Sequence, residues 1–232
     1  MTGMKRLLLS LLVLATILSW QSSAVAVIVI YSDQATFLAD TGAVNATGPL
    51  PNPGLVPGSQ TVGSITFSIA PPSSALFIGG AGTGIPGGDW TALHPGNEMA
   101  ISDVENLNAQ LAAPAYALGF AFVEPNVNAE CFAPCFDSTF TVTLKDGATI
   151  VDSFTFNAPD EVLAFVGVWS SSAFDRVEIR DTTATIDDEF FGEFYTGTTP
   201  LRTAVPEPST LLLFGSGLAG LGGMAWNRQR RK

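Results

Sequence analysis

The sequence predicts an all-β body, an antiparallel, jelly-roll-like β-sandwich over residues 27–204. A signal peptide (1–26) precedes it, and a tail (205–232) with a single transmembrane helix follows. Three observations predict this. Glycine and proline number 23 and 15 in 232 residues, too many for a helical bundle and too aperiodic for collagen. Apolar residues make up 47% and charged residues only 13%, against about 25% in a typical soluble domain, and the apolar excess gathers at the two ends. Between those ends, short alternating runs recur with no long helical pattern to separate them, which favours two stacked sheets over a parallel α/β fold.

The first end has the parts of an export signal. Lys5 and Arg6 precede the apolar run Leu7 to Trp20, and Ala24-Val25-Ala26 supplies a small-x-small pattern, so cleavage is expected after Ala26. The run is shorter than the ~20 residues that cross hydrocarbon, which distinguishes it from an anchor. Export places Cys131 and Cys135 in an oxidising compartment, and their Cys-Phe-Ala-Pro-Cys spacing predicts a local disulfide that pins a loop. Zinc is the weaker reading, because the pair lacks nearby ligands and His94 is the sole histidine of the chain.

Within the body, Val27 to Tyr31 is a β-branched run, and Ser32 to Gly42 is predicted as a short helix, capped at its start and ended by glycine. Residues 48–63 hold four prolines and are expected as a surface loop. Ile65, Phe67 and Ile69 alternate with polar residues as in a half-buried strand. Tyr116, Leu118, Phe120 and Phe122 alternate with small residues, which suggests a strand covered on both faces. Phe140, Val142 and Leu144 lead into Asp146-Gly147, a hairpin signal, with Ile150 to Phe156 returning. Val162 to Trp169 reads as a further buried run, and Arg176 to Arg180 and Thr185 to Tyr195 as the last strands.

The second end is more specific. Pro206-Glu207-Pro208 fixes an extended segment, Ser209 can cap the first turn of a helix, and no charge occurs from Ser209 to Trp226. Those eighteen residues span about 27 Å at ~1.5 Å per residue, close to a hydrocarbon core of about 30 Å. Arg228, Arg230, Arg231 and Lys232 then belong on the cytoplasmic side and the body on the other. In order and position these parts resemble the PEP-CTERM protein-sorting tail of Gram-negative bacteria. The resemblance implies that an exosortase, a membrane transpeptidase, recognises Pro206-Glu207-Pro208 and removes the helix. Release or attachment at the cell surface or in exopolysaccharide would follow. The body is also similar, more loosely, to domains found ahead of such tails, through Tyr31 to Leu38, Ala117 to Phe122, Phe165 to Val168 and Ile186 to Gly192.

Charge narrows the functional classes. The body holds only four cations, Lys145, Arg176, Arg180 and Arg202, against twenty carboxylates, which repels phosphate backbones and excludes a nucleic-acid partner. No cofactor is expected, with one exception. Asp181 and Asp187-Asp188-Glu189 form the densest acidic run, with the oxygen donors calcium uses, and Asp187 and Asp188 are its best ligands. The plainer reading is a solvated strand end, or partners for Arg176 and Arg180. Trp90, after Gly87-Gly88-Asp89, is the candidate for stacking on a sugar ring, whereas Trp169 follows a buried run and is expected in the core. His94 lies in a turn with no nucleophile motif and is expected in solvent. Glu98, Glu124 and Glu193 are formally eligible for glycoside hydrolysis, but no spacing selects a pair. The sequence therefore describes a non-enzymatic exported protein, held by lipid through its C-terminal helix until processed. A polysaccharide-binding module is the alternative, and a secreted hydrolase the third reading.

Overall fold

The computed structural model describes residues 26–80, 94–124, 137–183 and 189–200. The chain divides into two units, Met1–Thr199 and Pro200–Lys232, and the fold below is that of the first. Its elements are β1 (Ile28–Tyr31), α1 (Gln34–Thr41), β2 (Val44–Asn45), β3 (Gly54–Val56), β4 (Ser59–Val62), β5 (Ile65–Ile69), β6 (Ala75–Gly79) and β7 (Glu98–Ser102). They continue with β8 (Asn106–Val123), β9 (Phe140–Asp146), β10 (Thr149–Phe156), β11 (Ala164–Asp181) and β12 (Phe190–Gly197).

All named strand pairs are antiparallel, as expected, and the twelve strands form one hydrogen-bonded network. The two eighteen-residue strands β8 and β11 make that network a sandwich. The first part of β8, to Leu111, pairs with β5 and with the last part of β11, giving layer I in the order β4-β5-β8-β11-β9-β10. From Ala117 onward β8 pairs with β12 and the first part of β11, giving layer II in the order β1-β11-β8-β12-β7-β6-β3, with β2 also on β12. Register breaks on both strands, between Trp169 and Arg176 opposite Gln110 to Ala117, turn them from one layer into the other.

Phenylalanines close the space between the layers. Phe67 of layer I meets Phe194 of layer II at 4.9 Å between ring centres, and Phe122 of layer II meets Phe140 and Phe156 of layer I at 5.2 Å each. Every one of these rings except Phe156 is fully buried, and each such burial contributes roughly 1.5–3 kcal/mol.

The outer face of layer II is covered as well, by α1. Asp33 caps the helix, accepting from the Thr36 amide at 2.8 Å and its hydroxyl at 2.6 Å, and these bonds hold the Asp33 carboxyl below its ordinary pKa. Gly42 ends it in the left-handed conformation at φ 63°, its N–H donating to Leu38 O. Phe37 of α1 drops between Tyr31 and Phe165, with ring centres 5.5 and 5.2 Å away. Gly119 and Gly167 stand opposite one another beneath it. A Cβ on Gly119 would lie 2.5 Å from Phe165 and 3.0 Å from Phe37; one on Gly167 would lie 2.8 and 2.9 Å from the same rings. The small residues alternating along β8 therefore mark a strand buried on both sides, as the sequence suggested.

Three expectations change. The proline-rich stretch 48–63 contains β3 and β4, because its prolines flank these strands and each pairs on one side only. The run from Val162 enters the sheet only at Ala164, leaving Val162 and Leu163 exposed, because the chain first passes through Glu161 at φ 56°. The strands read separately as Val162 to Trp169 and Arg176 to Arg180 are one strand, β11. Among the described residues no helix is long and apolar enough to cross a membrane; the signal peptide and the span 209–226 lie outside them.

The glycine slot is tested by a double-mutant cycle. Gly119→Ala should lower stability by about 1–3 kcal/mol and Phe37→Ala by about 3–5 kcal/mol. The two together should cost less than their sum, because the shortened residue 37 removes one of the two contacts and leaves space into which the Phe165 ring can move from the new methyl. Urea titration of the four proteins checks this.

Candidate functional site

Opposite the bend, the ends of β8 and β11 and the start of β9 form a mouth dense in carboxylates. Extended chain leaving β8 at Glu124 forms a parallel bridge with Asp160, and the Glu161 amide donates to the Glu124 carbonyl at 2.9 Å. Glu124 itself is buried, and its carboxylate accepts from the amide of Ser138, two residues ahead of β9, thereby tying layer II to layer I. Glu124, Asp137 and Asp160 bring one carboxylate oxygen each within 4.8 Å of one another. Asn157 donates to Asp137 at 2.6 Å and orients it. Such a donor set is what a hard cation uses, supplying three of the six to eight oxygens calcium takes. Asp181, at the end of β11, turns its carboxylate to the Thr183 amide at 2.7 Å.

Beside the mouth runs an open groove of about 500 Å³, lined in part by Ile30, Tyr31, Asn157, Val162, Leu163 and Phe165. Its exposed lining joins aliphatic Ile30, Val162 and Leu163, which are 52%, 47% and 43% exposed, to polar Ser32 and Asp33, while Tyr31 and Phe165 are buried and Phe156 is half-buried. Burial, with the Asp40 carboxylate, pushes the Tyr31 phenol above its usual pKa. Asn157 belongs to both groove and mouth, so the two form one surface region.

His94, expected in solvent, is buried at 6% exposure. The glycine at 192 makes room for it: a Cβ there would lie 2.7 Å from Nδ1. Its Nε2 faces Phe190 O at 3.3 Å and the buried Glu98 carboxylate at 3.6 Å. Burial holds its pKa below 6.5, with the Phe190 carbonyl opposing. Proximity to Glu98 would favour the charged form, but 3.6 Å exceeds hydrogen-bond length, and desolvation prevails. Both side chains of the His94–Glu98 pair are closed off from solvent.

The other glutamates weighed for hydrolysis are held apart in function. Glu124 joins the mouth, while Glu193 accepts from Asn45 at 2.6 Å and from the Tyr195 hydroxyl at 3.2 Å. Trp169 is buried, as expected. The partner that the structure gives Arg176 and Arg180 is Glu178, at 3.3 and 3.5 Å, with Lys145 at 2.7 Å on the same carboxylate. Burial raises the Glu178 pKa, but the Lys145 hydrogen bond and the charges of Arg180, Lys145 and Arg176 outweigh it and leave it lowered. Trp90, Cys131, Cys135, Asp187, Asp188, Pro206, Glu207 and Pro208 lie outside the described residues. Sequence reasoning missed the grouping of Glu124 with Asp137 and Asp160, which are too far apart along the chain for spacing to reveal.

The family model of the PEP-CTERM protein-sorting motif matches residues 204–231, so the chain carries that sorting tail, a mark of exported proteins. No curated protein matches the sequence. Solved structures similar to the body include a variant of a family 29 carbohydrate-binding module, at 11% identity over 78% of this chain and 99% of that one, with a TM-score of 0.30. Another variant, solved with mannohexaose, gives 12% identity, 76% and 94% coverage and a TM-score of 0.30. A further family 29 module gives 13%, 80% and 97%, and 0.29. TM-scores this low assign neither topology nor ligand to this chain.

The buried histidine sets a pH dependence. Its folded pKa is below 6.5, so the unfolded chain takes up the proton first, and stability is full above pH 6.5 and falls as pH drops below it. Thermal melts across this range should show that fall, and His94→Gln should flatten it.

Proposed function

We propose that the chain is an exported, non-enzymatic protein whose body is delivered to the cell surface or extracellular matrix of a Gram-negative bacterium. The sorting motif at residues 204–231 carries this reading. An exosortase acts at Pro206-Glu207-Pro208, the helix 209–226 holds the precursor in lipid until then, and the signal peptide leaves after Ala26. The body supports that last boundary. Val27 donates from its amide to the Ser171 hydroxyl at 2.9 Å and accepts at its carbonyl from the Ser171 amide, so the first residue after the expected cut is already paired with the body. Burial of the lone histidine in the described core supports the non-enzymatic reading. Cys131 and Cys135 form a disulfide in the oxidising compartment.

Replacing Pro206, Glu207 and Pro208 with alanine should leave full-length protein in the inner membrane, read by fractionation and intact mass; processing as in wild type would overturn the assignment. A structural calcium belongs to the same proposal: the mouth carboxylates Glu124, Asp137 and Asp160 are one set of oxygen donors for it, and Asp187 and Asp188, the pair the sequence offers, are another. Millimolar calcium should then raise Tm, and Asp137→Asn should remove the rise.

A further inference from the structure

We infer that the outer face of layer I binds a linear, carboxylate-bearing polysaccharide. This deepens the proposal above and rests on its extracellular placement. Strand register puts Ser68, Asn108, Glu178, Thr143 and Ser153 side by side across β5, β8, β11, β9 and β10. No aromatic ring stands in that row. Neighbouring strands lie about 4.8 Å apart, so the row presents hydroxyl and amide groups on either side of the Glu178 carboxylate over about 19 Å. Such a line suits a polymer that offers hydroxyls along its whole length, whereas stacking of nucleic-acid bases would need rings that are not there.

The charges select among such polymers. Of the four cations in the body, Lys145, Arg176 and Arg180 gather here around the single carboxylate of Glu178. Two positive charges are left over on a body that is otherwise strongly acidic. Arg180 is a strut: its guanidinium donates to the carbonyls of Leu107 and Ile179 at 2.8 Å each, and to Asn108. Lys145 and Arg176 keep donors in hand. The ammonium of Lys145 spends one of its three on Glu178, and Arg176 faces Glu178 through Nε alone. Those two cations are the contacts for ligand carboxylates, and the hydroxyl and amide row receives the sugar hydroxyls. Lys145 and Arg176 each stand five residues from the mouth ends of their strands, Phe140 and Asp181, about 16 Å at ~3.3 Å per residue and so beyond the screening length of about 8 Å at physiological ionic strength. A densely charged polyanion would still meet the repulsion of the whole body; a polymer with one carboxylate per sugar meets less of it.

Affinity electrophoresis of the full chain in detergent and EDTA tests this, with polygalacturonate in the gel and neutral glucomannan as control. The protein should be retarded by polygalacturonate alone, and less so as salt is added. Lys145→Gln/Arg176→Gln should weaken retardation about tenfold, and Glu178→Gln, which frees the surrounding cations, should strengthen it about threefold. Matching thermal melts verify that each variant is folded, and the basic tail end is common to all, so differences belong to the face. Equal retardation by glucomannan, no retardation, or variants indistinguishable from wild type would each overturn the inference. Processing of the tail is read separately by mass, so neither result decides the other.

Discussion

A strand of eighteen residues is too long to stay in one layer of a small sandwich, and this body contains two of them side by side. Strands β8 and β11 must therefore turn together, and they do so through small residues, Ala112, Ala113, Pro114 and Ala115 on one and Ser170, Ser171, Ser172 and Ala173 on the other. Extra residues on both strands break the register there. With the turn made, the phenylalanines on either side of it face each other across the core. The same turn sends both ends of β8 to the opposite side of the molecule, where the carboxylates collect.

Charge follows the same geometry. The three described cations, Lys145, Arg176 and Arg180, lie on the outer face of layer I, and the clustered carboxylates Glu124, Asp137 and Asp160 lie at the mouth. A sequence count sees only a strongly acidic body. The fold sorts that count into a region suited to cations and a region with cations of its own, on different surfaces, and hence with different prospective ligands.

Much of the architecture was legible because it is local. Asp33 and Gly42 bound a helix by capping chemistry that needs no partner, and Asp146-Gly147 makes a hairpin, with Gly147 at φ 56°. Phe alternating with Ala and Gly on β8 reports burial on both faces directly. Strands β6 and β7 were missed because Ala75 to Gly79 and Glu98 to Ser102 are short and do not alternate. Their apolar residues divide between the main core and a second cluster of Phe77, Ala100, Val123 and Phe190. The mouth was half legible: acidity near the end of β11 was apparent, but Glu124, Asp137 and Asp160 meet only through strand pairing. The histidine was misplaced because its burial depends on a glycine almost a hundred residues later.

The pairing of β1 with β11 has a consequence for the order of events during synthesis. The first strand of the body waits on a partner about 140 residues downstream, and β2 waits on β12, the last strand among the described residues. Until nearly the whole body has emerged, its opening segment has nowhere to dock, and such long-range closure is slow. A chain built this way stays threadable for most of its passage and locks only as its hind end arrives.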